Sequence, residues 1–171
     1  MLKYPILTNP KPTSFSKNGA VYTLGLGLSG KVNGFEKLTL QEQYNANYDS
    51  LGNVSSPLQA VDNTLLIDQT APTFASLAVE DDNSSVNVAF TNPVNNPTAG
   101  SGSLEKEDFV ISMAGGVAVL KSTTPSSLTY VDSSNTYKLG LSLEGVPDGY
   151  EVINLSPVEN SIYDAANNVA N

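Results

Sequence analysis

The sequence predicts an all-β fold in the form of a β-sandwich, and three observations support this prediction. Its 171 residues include 13 Gly and 10 Pro with many Asn, Ser and Thr, so turns must be frequent. The apolar residues are mostly Leu and Val in short runs, which is typical of strands and not of long helices. A stretch of alternating leucines also occurs twice, which indicates a repeated unit.

The repeat relates residues 21–40 to residues 136–155. The same register, in which residue n matches residue n + 115, continues without a gap from residues 48–54 to residues 163–169. Identical residues are far more frequent in this alignment than ordinary composition gives by chance. A single register explains both blocks, so we predict that the same structural piece is used twice.

The matched residues have a common physical explanation. The leucines of residues 24–28 and 139–143 alternate with small or polar residues, the period-two pattern of a strand with one buried face. Asn33-Gly34 matches Asp148-Gly149, and both pairs predict turns with positive φ. Each repeat is therefore expected to contain a strand, a tight turn, a second strand and a Tyr-Asp loop.

The second half of the chain contains seven short strand-like segments in about a hundred residues, the number expected of an immunoglobulin-like sandwich. They span residues 76–80, 85–90, 108–113, 117–122, 127–132, 137–143 and 150–156. Residues 103–108 are predicted to form at most one helical turn, capped by Ser103.

The repeat register also predicts the domain organisation. Residues 1–69 correspond to the C-terminal part of an immunoglobulin-like unit, and residues 70–171 form a near-complete unit that lacks its last strand. The strand-like residues 63–68 accordingly have no second copy. Two explanations stay open: the chain is a fragment of a longer array, or its incomplete units are completed by another chain.

Composition excludes several classes of function. The chain has 8 basic and 17 acidic residues and no Arg, so nucleic-acid binding is disfavoured. It has no Cys and no His, which removes disulfides, thiolate metal sites and the usual proton shuttle at neutral pH. Without Trp, and with Tyr at strand positions, carbohydrate catalysis by paired carboxylates is also improbable, and we expect no enzyme.

Targeting signals are not evident in the sequence. Residues 1–12 lack the continuous apolar stretch of a signal peptide, and no run of about 20 apolar residues predicts a membrane span. If the protein is exported, the targeting signal is expected outside this chain.

Two motifs resemble those of the immunoglobulin-like repeats of large bacterial cell-surface proteins and adhesins. Such units open with Asp-x-Thr-Ala-Pro-Thr and close with Tyr-Asp-x-x-Gly-Asn, and here residues 68–73 and 48–53 match these motifs. Residues 86–94 and 103–112 are also similar to segments of that family. The resemblance implies an extracellular or cell-surface protein, although Asn92 and Asn167 replace an acidic residue and a glycine that are common there.

Calcium is the cofactor that the sequence favours, because Ca²⁺ takes oxygen ligands from carboxylates, amides and carbonyls. In a sandwich of this type Asp164 is expected near the linker residue Asp68, with the loop of Asn92 approaching the same end. An ion held there would stiffen the joint between units. The alternative is that Asp68, Asp164 and Asp49 cap turns through neighbouring backbone amides.

The predicted function is structural: a non-enzymatic spacer repeat of an adhesin-like protein, in contact with neighbouring repeats of the same chain. One alternative is a carbohydrate- or protein-binding module that uses loops at one end of the sandwich. Another is a self-associating subunit that forms homo-oligomers by strand exchange across its incomplete ends.

Overall fold

The computed structural model describes residues 6–43, 45–55, 64–96, 102–132 and 135–171. Regular structure in these ranges is β, apart from a 3₁₀ turn at Lys106–Asp108, which confirms the predicted all-β class. None of the helical structure described in these ranges is long and apolar enough to cross a membrane.

The chain divides into two compact units, Met1–Thr70 and Ala71–Asn171. Antiparallel pairs β1–β4, β2–β3 and β5–β6 form the first unit. The strands of this unit are β1 (Ile6–Leu7), β2 (Phe15–Asn18), β3 (Val21–Leu24), β4 (Leu28–Ser29), β5 (Asn33–Thr39) and β6 (Thr64–Asp68).

The second unit contains a four-stranded antiparallel sheet in the order β12-β13-β8-β7, and three further pairs, β10–β15, β11–β14 and β9–β16. Its strands are β7 (Phe74–Val79), β8 (Ser85–Phe90), β9 (Val94–Asn95), β10 (Phe109–Ala114), β11 (Val119–Leu120), β12 (Leu128–Asp132), β13 (Thr136–Gly140), β14 (Leu143–Glu144), β15 (Val152–Pro157) and β16 (Tyr163–Asp164).

The core of the second unit lies between the four-stranded sheet and the β10–β15 pair, an arrangement consistent with a β-sandwich. Val88 and Leu139 on the sheet and Phe109 on β10 are almost fully buried and belong to one apolar cluster. The ring of Phe90 packs edge-on against Tyr137 at 6.0 Å between centroids and lies 6.3 Å from the ring of Phe109. Aromatic contacts therefore join the two layers.

The segment predicted as one strand over residues 137–143 is two strands, so that prediction was wrong. The chain leaves the four-stranded sheet at Gly140 and pairs with β11 from Leu143 onward. A Cβ on Gly140 would lie 2.5 Å from the hydroxyl oxygens of both Ser126 and Ser127, so a larger residue here would require these serines to shift.

The predicted helical turn begins later than expected. Glu105, not Ser103, precedes the 3₁₀ turn, and its backbone N–H donates to the Asp108 carboxylate at 2.7 Å. Asp108 is only 6% exposed. Its two oxygens also accept from the Asn96 side-chain amide, which compensates for the loss of water.

The strand pairings of the second unit recur in the first. The pair β2–β3 corresponds to β12–β13, and the pair β1–β4 corresponds to β11–β14. In the second unit, the chain between the paired residues is two residues longer. The corresponding Cα partners are Phe15↔Leu24 and Leu128↔Leu139, then Leu7↔Leu28 and Leu120↔Leu143.

Burial differs between the two copies. Leu139 is completely buried, whereas its counterpart Leu24 is only half-buried. Among the described residues of the first unit, no strand corresponds to β10, which contributes Phe109 to the layer that covers Leu139.

Candidate functional site

The Tyr-Asp loop of the second unit is built around the Asp164 carboxylate. Asp164 Oδ1 accepts hydrogen bonds from the backbone N–H groups of Ala166 at 2.8 Å and Asn168 at 2.9 Å. Its Oδ2 accepts from the Asn168 side-chain amide at 2.9 Å. Asn167 takes a positive φ of 65°, which asparagine tolerates best among residues other than glycine. A carboxylate that is only 3% exposed is thereby well hydrogen-bonded.

The loop of the first unit has the same geometry. Asp49 Oδ1 accepts from the backbone of Leu51 at 2.8 Å and of Asn53 at 2.9 Å, and Oδ2 from the Asn53 amide at 2.8 Å. Gly52 has a φ of 83° at the position of Asn167. The Asn53 amide is the main cause of a lowered pKa of Asp49. Asp49 is exposed, however, so water competes for the bonds that Asp164 makes in a buried setting.

Of the three residues predicted for calcium, Asp164 and Asn92 belong to the second unit and Asp68 to the first. Asp164 lies opposite Val94, so it adjoins the loop of the partly buried Asn92, as the sequence suggested. Asp68 belongs to the first unit and accepts from the backbone N–H of Thr70 at 2.8 Å. Within the described ranges no three acidic side chains come together in a way that holds a metal ion.

The side chain of Asn95, in the strand paired with Asp164, does not point toward Asp164. The Asn95 amide oxygen is buried without a hydrogen-bond partner among the described residues. Asn95 pairs with Tyr163 and Val94 with Asp164, and since side chains alternate between the faces of a strand, Asn95 and Asp164 point to opposite faces. The hydrogen bonds of Asp164 are those of the turn-capping alternative, and we derive no role for a metal from them.

A second carboxylate, that of Glu151, connects two loops at the end of the second unit where β8 begins. Its Oε1 accepts from the backbone N–H groups of Val117 at 3.0 Å and Ala118 at 3.1 Å, and Oε2 from those of Asp148 at 3.1 Å and Gly149 at 3.0 Å. The bond from Ala118 above all, with those from Asp148 and Gly149, lowers the pKa of Glu151 to about 2. One side chain therefore joins the loops before β11 and before β15.

The sequence contained a signal for this carboxylate that was not used. Glu151 is repeated as Glu36, and each follows the Gly of its turn pair by two residues. Glu36 likewise accepts from the backbone N–H of Asn33, at 2.9 Å. Close packing of Gly116, where a Cβ would overlap the Glu151 carboxylate, became visible only in three dimensions.

We expect the stability of the second unit to depend on pH through Glu151. Its pKa is about 2 in the folded state and about 4.3 in an unfolded chain, so its stabilisation is complete above the unfolded pKa and is lost as pH falls toward 2. Urea unfolding between pH 6 and pH 2 measures this loss, and Glu151→Gln should flatten that part of the curve. An unchanged slope in the variant would contradict the assignment.

A cavity of about 250 Å³ opens at the same end of the second unit. Its wall is mainly apolar and includes Val79, Met113, Leu143 and Ile153. Glu151 is among its polar lining groups, and this carboxylate is already held by backbone amides. The cavity is chemically suited to an apolar side chain or a similar small apolar group.

Comparisons with known protein families, with curated proteins and with solved structures found no match to this chain.

Proposed function

We propose that the protein is a non-enzymatic spacer built from immunoglobulin-like repeats in an extracellular, cell-surface, adhesin-like protein of bacteria. The observation that carries this proposal is the recurrence of both hairpin pairings and of the Tyr-Asp turn at a nearly constant offset. Repeated units that stack along one chain extend a surface protein without a need for catalytic groups.

The mechanism is mechanical spacing. Hydrogen-bonded antiparallel strands resist being pulled apart, and the carboxylates of Glu151 and Asp164 hold loops at the ends of the second unit. Because the chain has no cysteine, this stiffness has to come from packing and hydrogen bonds. Calcium at the joint through Asp68, Asp164 and Asn92 stays a separate prediction, on which the spacing role does not depend.

Protease treatment of intact cells tests the proposed location and role. We expect an antibody against this chain to label unpermeabilised cells, and external protease to remove the label while a cytosolic control protein survives. Labelling that requires permeabilisation would contradict the proposal.

Ligand binding at one end of the second unit is the second candidate, favoured by the exposed apolar residues next to the cavity. Val146 and Tyr150 are 81% and 78% exposed, and Val117 is 68% exposed. A glycan array separates the two functions, because a spacer gives no saturable signal. If binding occurs, Tyr150→Ala should abolish it, while Phe35→Ala at the equivalent and equally exposed position of the first unit should not.

A further inference from the structure

One edge of β15 carries backbone groups that no described strand pairs with. The N–H of Val158 donates to the carbonyl of Asp108 at 2.8 Å, and backbone groups alternate in direction along a strand. The backbone N–H and C=O groups of the even-numbered residues of β15 therefore point to β10. In agreement, Ile111 on β10 donates away from β15, to the carbonyl of Thr123. The backbone N–H and C=O groups of odd-numbered residues such as Ile153 point to the other edge of β15, which we call the open edge.

The corresponding edge of the first unit is occupied by β6. The N–H of Gln69 donates to the carbonyl of Val32 at 2.9 Å, so the backbone N–H and C=O groups of the odd-numbered residues of β6 point to β5. Among them, Leu65 lies opposite Leu38, which is the repeat counterpart of Ile153. The first unit thus shows that this edge accepts an antiparallel strand, and it shows the register.

Apolar side chains beside the open edge are incompletely covered. Leu77 and Val79 on the outer strand β7 lie opposite the buried Val88 and Val86, so they face the core side of the sheet. They are nevertheless 50% and 46% exposed. Val79 and Ile153 both line the 250 Å³ cavity, which places β7 and β15 on its two sides. An uncovered strip of the core therefore lies between these strands.

We propose that the open edge of β15 binds the Thr64–Asp68 segment of a second copy of this chain as an added antiparallel strand. This association goes beyond the spacing function and does not depend on it. The segment already covers the equivalent edge of β5, and backbone pairing supplies the affinity in such strand additions. The exchange conserves strand pairs and covers Leu77 and Val79.

Engineered cysteines test the predicted register, because the natural chain has none. Thr64 lies opposite Thr39 in its own chain, so it is predicted opposite Asn154 of the second copy. The Cα atoms of such a non-hydrogen-bonded pair are about 4.5 Å apart, within disulfide range. We expect the full chain carrying Thr64→Cys and Asn154→Cys to form intermolecular disulfides on mild oxidation. The pair Thr64→Cys and Thr39→Cys should close within one chain instead.

Sedimentation of the unmodified full chain tests the same contact without cysteines. We expect association that increases with protein concentration and that Leu77→Lys weakens about tenfold or more, because the charge enters an apolar contact. Val110→Lys is the matched control, since Val110 is 39% exposed and pairs with the exposed Ser156 on the outer face of β10. Circular dichroism establishes that both variants fold.

Three outcomes overturn the proposal. The first is a chain that stays monomeric at all concentrations, and the second is association that Leu77→Lys leaves unchanged. The third is a Thr64→Cys and Asn154→Cys variant that cross-links no more than a Thr64→Cys and Val110→Cys control. Each of these is independent of where the protein is located in the cell.

Discussion

Replacing Leu139 by alanine is expected to lower the free energy of unfolding of the second unit by about 3–5 kcal/mol. Leu139 is fully buried between β8 and β12, in the cluster that includes Val88 and Phe109. The substitution removes apolar contact and leaves a cavity that a close-packed sandwich cannot fill. Urea denaturation followed by circular dichroism measures the change in the midpoint.

The repeat supplies a matched control for this substitution. Leu24→Ala changes the equivalent residue of the equivalent hairpin, which is only half-buried, and is expected to cost about 1 kcal/mol. The large difference between the two substitutions would follow from the missing layer over the first hairpin. Equal costs at both positions would show that Leu24 is covered in solution as Leu139 is.

Replacing Asp164 by alanine is expected to cost about 1–3 kcal/mol, because the backbone and side-chain donors that surround a buried carboxylate lose their acceptor. Asp164 accepts from Ala166 and twice from Asn168, and it is 3% exposed. Thermal and urea unfolding of the full chain measure the loss. Asp49→Ala removes the same bonds from an exposed turn, where water replaces them, and should cost less.

Unfolding of the same variant with calcium and with EDTA separates the two interpretations of Asp164. If the carboxylate caps its turn, Asp164→Ala costs the same under both conditions, and EDTA does not shift the melting temperature of the natural chain. A melting temperature that rises with calcium in the natural chain, and not in Asp164→Ala, would identify Asp164 as a metal ligand.

The strand pattern was largely predictable because it depends on local sequence. Period-two apolar alternation and turn residues placed β8 at residues 85–90, as observed, and β6 and β12 within one residue of their ends. Gly34 and Gly149 have the predicted positive φ values, although Gly34 lies at a bulge within β5 and not in a tight turn between strands. These features depend on steric limits of neighbouring residues, which the sequence states directly.

The candidate site was less predictable because it depends on which strands lie side by side. Asp164 and the loop of Asn92 come together as expected, but Asn95 and Asp164 point to opposite faces, which follows only from the pairing register. Glu151 binds amides more than thirty residues away in sequence, and no local pattern encodes such a distance.

By itself, the sequence determined that this protein is all-β, that it repeats one piece at a fixed spacing, and that its loops turn at defined glycines and asparagines. These properties follow from backbone sterics and side-chain periodicity, which act over a few residues. Only the tertiary structure decided that Leu139 is buried and Leu24 is not, and that β15 has an open edge while β5 is covered there by β6. Burial and strand pairing depend on the neighbours that folding brings together, and identical segments acquire different surroundings when those neighbours differ.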